Sequence, residues 1–197
     1  MLFSSEMKNI TLFKLTGQNL QIKFIPFLHT IPKMLKLPRI VALDPAGPSF
    51  NFRPEEKRLN KNDAEVVQVI HTNGGAFGFK DSCGTIDFFP NGGNWQPGCT
   101  RMYLLDIKNI VKDIFCDHHR SWKYFIEAVL NPNVFLSTKC GSWDQFKSLT
   151  CDEQQVAMGD LKSKQTGDFY LETNKEKPFA KRRDEIGLKT VLSLLPH

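Results

Sequence analysis

The chain has 197 residues, a net charge of +5, and 41% hydrophobic against 24% charged residues, a balance that fits one globular domain with one substantial core. No run approaches the roughly 20 apolar residues of a membrane span, and no nucleic-acid-binding module is visible. The densest charge run, Lys175 to Glu185, mixes signs and reads as a solvated tail in preference to a contact for an anionic surface.

The N-terminal stretch "MLFSSEMKNITLFKL" places an acid and lysines where a signal peptide would hold an unbroken apolar core. Residues Ile10 to Thr16 read as a buried strand. This strand runs into "LTGQNLQ", the layout of a strand-to-helix turn that presents a nucleophile. Asn19 stands where the hydroxyl would be, and Gln21 where a second glycine would be. Gln21 to Lys36 follows no clean period, because Pro26 and Pro32 interrupt any helix.

Further strands are expected at Ile40 to Leu43, ended by Pro45 and Pro48, at Val66 to Thr72, stopped by Asn73-Gly74-Gly75, and at Ile86 to Phe89. "DHHRSWKYFIEAVL" then carries Trp122, Phe125, Ile126, Val129 and Leu130 as one helical stripe, with an Asp near its start as a candidate N-cap. "GDFYLET" alternates like a last strand. Continuous apolar strands with a helix between them predict an α/β fold, a largely parallel sheet with its chemistry at the strand ends.

Asp44 closes an apolar strand, where a carboxylate costs desolvation unless it has a partner. It is either the cap of the "PAGP" turn or the acid of an active site. His118, at a loop-helix junction, is either a general base or a surface histidine. The order of elbow, Asp44 and His118 matches the Ser…Asp…His order of α/β-hydrolases. Among the five cysteines, Cys99 with Cys116 and Cys140 with Cys151 form two plausible pairs. Each closure is worth roughly 3 kcal/mol in the chain-entropy model and favours an oxidising compartment. Cys83, left over, reads as a buried thiol before a reactive one.

The blocks "RIVALDPAGPSF", "DAEVVQVIHTNGGAFG", "IDFFPNGGNWQPGC", "CDHHRSWKYF" and "FYLETNKEKPFA" resemble the animal neutral, pancreatic-type lipase family, which includes the short phospholipase A1-type lipases of insects. The resemblance runs from about residue 37 to 180, leaves 181–197 as a tail, and implies the C-terminal part of an α/β-hydrolase domain without a β-sandwich. The 1–197 chain is therefore expected to be a partial lipase domain, incomplete at its N-terminus. It makes Asp44 the acid of the triad and His118 the base, with no role for His119 and a core position for His71. Cys99 and Cys116 would bracket the lid, whose Met102, Leu105, Ile107, Ile110, Val111 and Ile114 could meet lipid.

No cofactor is required by the resemblance, and a structural calcium is the one candidate. Its loop would use backbone carbonyls of Glu55 and Arg58 and the Asp63 carboxylate, with Asn60 where a second carboxylate is usual, which weakens the site. The nucleophile falls on Asn19, whose amide cannot be activated as a serine hydroxyl is. The upstream strands and the His-Gly loop of the oxyanion hole are missing. The implied function is lipase or phospholipase A1-type hydrolysis of lipid esters outside the cell, inactive in this chain. A lipid-binding carrier is the alternative, since fly yolk proteins carry a similar G-Q-N elbow. A third reading, a remnant without a stable fold, follows from the unpaired central edge that half a sheet would leave.

Overall fold

The computed structural model describes residues 11–16, 19–24, 37–48, 50–99, 115–152 and 154–181. Four strands form its centre: β3 (Leu37–Leu43), β4 (Ala64–Ile70), β5 (Ile86–Pro90) and β8 (Gly167–Leu171). They lie side by side and parallel, with Ile40 opposite Val67, Ile70 opposite Phe88, and Phe88 opposite Phe169. Their apolar runs are continuous because both sheet faces are covered. Val41, Leu43, Ile70, Phe88 and Phe169 belong to one core cluster, while Ile40, Ala42, Val67 and Val69 belong to the other. That split is the period-2 alternation of a strand.

Antiparallel strands flank this centre. β1 (Thr11–Thr16) and β2 (Asn19–Phe24) form a hairpin on one side, and β6 (Leu136–Lys139) and β7 (Gln155–Ala157) extend the other. The eight strands run in the order β2-β1-β3-β4-β5-β8-β6-β7. The parallel centre bears out the expected partial α/β-hydrolase sheet.

The hairpin corrects two expectations. β1 pairs with β3, Leu12 opposite Ala42, so the edge expected to be open is occupied. The chain from Asn19 onward is strand β2, with Asn19 opposite Thr16, and residues 17 and 18 lie outside the described residues. An elbow would instead open a helix here. The β-branched and aromatic residues of "NLQIKF" suit a strand, and Pro26 would stop a helix within two turns.

Helix α1 (Cys116–Leu130) packs on the parallel strands, and a short helix α2 (Trp143–Lys147) follows β6. The expected single stripe on α1 divides between two faces. Tyr124, Phe125 and Ala128 are buried together with Asp117, Arg120 and Ser121, whereas Trp122, Ile126 and Leu130 are 41%, 46% and 72% exposed. The core face includes polar residues that bond loops of the site, so a reading by apolarity alone rotates the helix. Among the described residues no helix is long and apolar enough to cross a membrane.

Candidate active site

The site lies at the C-terminal ends of β3 and β4, where Asp44 follows β3 directly. Its backbone N–H continues the ladder to the Ile70 carbonyl at 2.7 Å, but its φ is +49°, a conformation that residues other than glycine seldom adopt. This turn swings the carboxylate under the loop that follows β4. Oδ1 accepts the backbone N–H groups of Thr72 at 2.8 Å and Asn73 at 2.9 Å. Oδ2 lies 2.7 Å from His118 Nδ1, and the Asp44 side chain is fully buried. A carboxylate in this role only accepts, so Nδ1 is the donor, and in the neutral ring the lone pair is then on Nε2.

His118 comes from the first turn of α1, and its side chain is 21% exposed, open enough to be reached. The start of α1 is anchored by the Cys99–Cys116 disulfide, with Cα atoms 5.6 Å apart. Asp117, expected as an N-cap, instead accepts the Gln96 backbone N–H at 2.6 Å, and Phe115 occupies the cap without a side-chain bond. The second disulfide joins Cys140 to Cys151. Both pairings match the sequence expectation, and Cys83 remains buried and free.

Gln96, whose role the sequence alone does not indicate, ties the site together. Its amide donates to the Thr72 and Pro90 carbonyls, both at 3.0 Å, and its Oε1 accepts from Asn91 at 2.8 Å and Tyr124 at 3.2 Å. Thr173 closes the network through Tyr124 and Asn91. Thr72 holds Asp44 and Asp117 adjoins His118, so one buried glutamine fixes both halves of the pair. The only signal for it in the sequence was an amide inside a Gly/Pro-rich block.

A second histidine–carboxylate pair lies beneath the first. His71 Nε2 is 2.8 Å from Asp87 Oδ1, Nδ1 is 3.0 Å from the Phe79 carbonyl, and the ring stacks on Phe89 at 4.5 Å. Both partners are acceptors. Burial alone would lower the pKa of this imidazole, but the bond and charge of Asp87, with the Phe79 carbonyl and Asp44, hold it above the ordinary histidine value. His71, Cys83 and Asp87 present ligand-type atoms within 4.8 Å of one another. Asp87, however, already accepts from His71 and from the N–H groups of Cys83 and Gly84. Burial pushes the Cys83 thiol up, so it is poorly suited to act as a thiolate.

The structure also brings Glu55, Arg58, Asn60 and Asp63 together around one point, occupied by the Asn60 amide nitrogen. It is 3.0 Å from the Glu55 carbonyl and 3.3 Å from both the Arg58 carbonyl and Asp63 Oδ1. The segment expected to form the lid, 100–115, lies outside the described residues except for Phe115, and so do the apolar residues named in it. Asn19 is described only as part of the β2 backbone. His119 stacks on Phe115.

Comparison with known proteins bears on this geometry. A family model described as Lipase matches residues 29–179. Pancreatic lipase-related protein 3 of Homo sapiens is 36% identical over 179 residues, covering 78% of this chain and 38% of that protein. Pancreatic triacylglycerol lipase of Cavia porcellus is 36% identical over 76% of this chain and 37% of its own length. Inactive pancreatic lipase-related protein 1 of Homo sapiens is 37% identical over 77% of this chain and 38% of its own length. The chain thus spans well under half the length of these relatives.

Proposed function

The chain belongs to the lipase family, and from that premise we propose that it carries the acid–base machinery of a carboxylic ester hydrolase acting on lipid esters. The observation behind this reading is the 2.7 Å contact between Asp44 Oδ2 and His118 Nδ1, on a carboxylate already fixed by two backbone N–H groups. In ester hydrolysis His118 Nε2 takes the proton from the attacking hydroxyl and returns it to the leaving alcohol. Asp44 holds the ring in the productive tautomer and stabilises the imidazolium that forms between those steps. Phospholipids cleaved in the A1 manner, or triacylglycerols, are the proposed substrates at an interface. The two disulfides suit a protein that works outside the cell.

Asn19 occupies the position where the resemblance puts the nucleophile, so this chain is expected to turn over lipid esters poorly. One relative carries "inactive" in its name. A lipid-binding carrier is the second reading, favoured by strand β2 where an elbow would open a helix. Both readings are tested by following hydrolysis of phosphatidylcholine vesicles and triolein emulsions, together with vesicle flotation, for the chain and for His118→Ala. Turnover abolished by the substitution supports the hydrolase. Binding to vesicles without turnover, equal in both proteins, supports the carrier. Turnover that His118→Ala leaves unchanged would overturn the assignment of the base.

A further inference from the structure

The loop of residues 55–63 is where the lipase family implies a calcium ion, and here its centre is taken. Asn60 Nδ2 faces three oxygens: the Glu55 and Arg58 carbonyls and Asp63 Oδ1. These are the atoms a calcium ion would use, but calcium requires ligands at roughly 2.3–2.6 Å and usually gains from a second carboxylate. An NH2 group already fills the place such an ion would need.

The orientation of the amide follows from its other end. Asn60 Oδ1 accepts the Asn62 backbone N–H at 2.9 Å. Turning the amide over would set its oxygen against three acceptors and its nitrogen against a donor, so the network permits one assignment. The two amide hydrogens are shared among the three oxygens. The Asn60 backbone N–H donates to Asp63 Oδ2 at 3.0 Å and its carbonyl accepts the Asp63 N–H at 3.1 Å, which completes the closure.

We propose that the Asn60 side-chain amide stands in for the divalent cation, so that this loop keeps its closed form without calcium. A positively polarised NH2 satisfies the same converging oxygens with no ion to lose. The loop bears on the site, because the Arg58 guanidinium lies 4.5 Å over the Phe79 ring, and Leu59 packs against the cluster containing Phe79. Phe79 in turn bonds His71 through its carbonyl and Pro45 through its N–H, next to Asp44. A calcium-independent loop therefore makes the Asp44 turn insensitive to chelation.

Thermal unfolding of the full chain, measured in excess calcium and in excess chelator, tests this. The unfolding midpoint of the native sequence is expected to be the same in both. Asn60→Asp exchanges the donor for a second carboxylate, so its midpoint is expected to fall in chelator and recover on adding calcium, with terbium luminescence appearing in the variant alone. Asn60→Ala removes the donor without supplying a ligand, so its midpoint is expected to fall by a few degrees in both conditions. The proposal is overturned if calcium raises the midpoint of the native sequence, if Asn60→Asp folds but ignores calcium, or if Asn60→Ala is as stable as the native chain.

Discussion

Gly78 sits against the Asp44 carboxylate so closely that a β-carbon built on it would stand 2.3 Å from Asp44 Oδ1. The reason lies in the loop after β4. Gly78 N–H donates to the Asn73 carbonyl at 2.9 Å, and this folds 73–78 back over the carboxylate whose Oδ1 is held by Thr72 and Asn73. A methyl group here has no space to enter. Gly78→Ala is expected to cost about 1–3 kcal/mol, the usual range for overpacking, and to break the Asp44–His118 contact. Chemical denaturation gives the first quantity. A variant as stable as the native chain would show that the loop yields freely.

The His71–Asp87 pair sets a pH dependence whose sign can be worked out. His71 has a raised pKa in the folded protein, from the contributions of Asp87, the Phe79 carbonyl and Asp44 outweighing burial. A raised value means that the folded state holds the proton more tightly than the unfolded chain. Its stabilising contribution is full below about pH 6.5 and is lost as pH rises through the folded pKa, at about 1.4 kcal/mol per pH unit. Urea midpoints followed from pH 6 upward should show this fall, and His71→Gln should flatten it. An unchanged slope in His71→Gln would assign the fall to another group.

Gln96 is the positioning residue with most at stake. Gln96→Ala removes the side-chain donor to the Thr72 carbonyl and the acceptor of the Tyr124 hydroxyl in a buried place, while the Pro90 carbonyl keeps the Gly93 N–H and the Asn91 amide keeps Thr173. At roughly 1–3 kcal/mol for an unsatisfied buried group, two such groups make a loss of about 2 kcal/mol or more the expected outcome after water or relaxation recovers part. Gln96→Glu keeps the shape and the oxygen that accepts from Asn91 and Tyr124 but sets a second oxygen against the Thr72 and Pro90 carbonyls, so it should be destabilised as well. Denaturant unfolding of both variants checks this, and a loss under about 0.5 kcal/mol in Gln96→Ala would contradict it.

The two faces of α1 give a paired test. Phe125 is buried, so Phe125→Ala should cost about 3–5 kcal/mol. Ile126 and Leu130 are exposed, and serine at either should stay within about 0.5 kcal/mol of the native chain. Equal costs at Phe125 and Ile126 would restore the single stripe expected from the sequence.

What the sequence showed and what it hid divide along physical lines. β3, β4 and β5 were legible because strands buried on both faces must be continuously apolar, and "RIVAL", "VVQVI" and "IDFF" are nearly so. Asp44 stood out because a carboxylate ends such a strand, though on those grounds alone the turn cap was favoured over the acid. The partner that decides between them, His118, lies 74 residues away and was reached through the family's motifs. Gln96 and Asp117 were not legible as partners, since hydrogen-bond satisfaction is a property of three-dimensional closure and leaves no periodicity. The same holds for Asn60, whose inward-turned amide nitrogen follows from three converging oxygens and not from its place in the loop sequence. β6 and β7 are only 4 and 3 residues long, which places them below any pattern threshold. The β1–β2 hairpin was not legible because an apolar strand running into Gly-Gln-Asn has the same local sequence layout as an elbow.

The central claim is that Asp44 and His118 form an intact acid–base pair, and proton NMR of the imidazole Nδ1–H tests it most directly. A proton shared between an imidazole nitrogen and a buried carboxylate resonates far downfield of the amide region. With His118 labelled at nitrogen, the native chain should give such a signal, separate from any due to His71, and Asp44→Ala and His118→Ala should each remove it while the His71 signal stays. A folded native chain lacking that signal, or one in which it survives Asp44→Ala, would contradict the account.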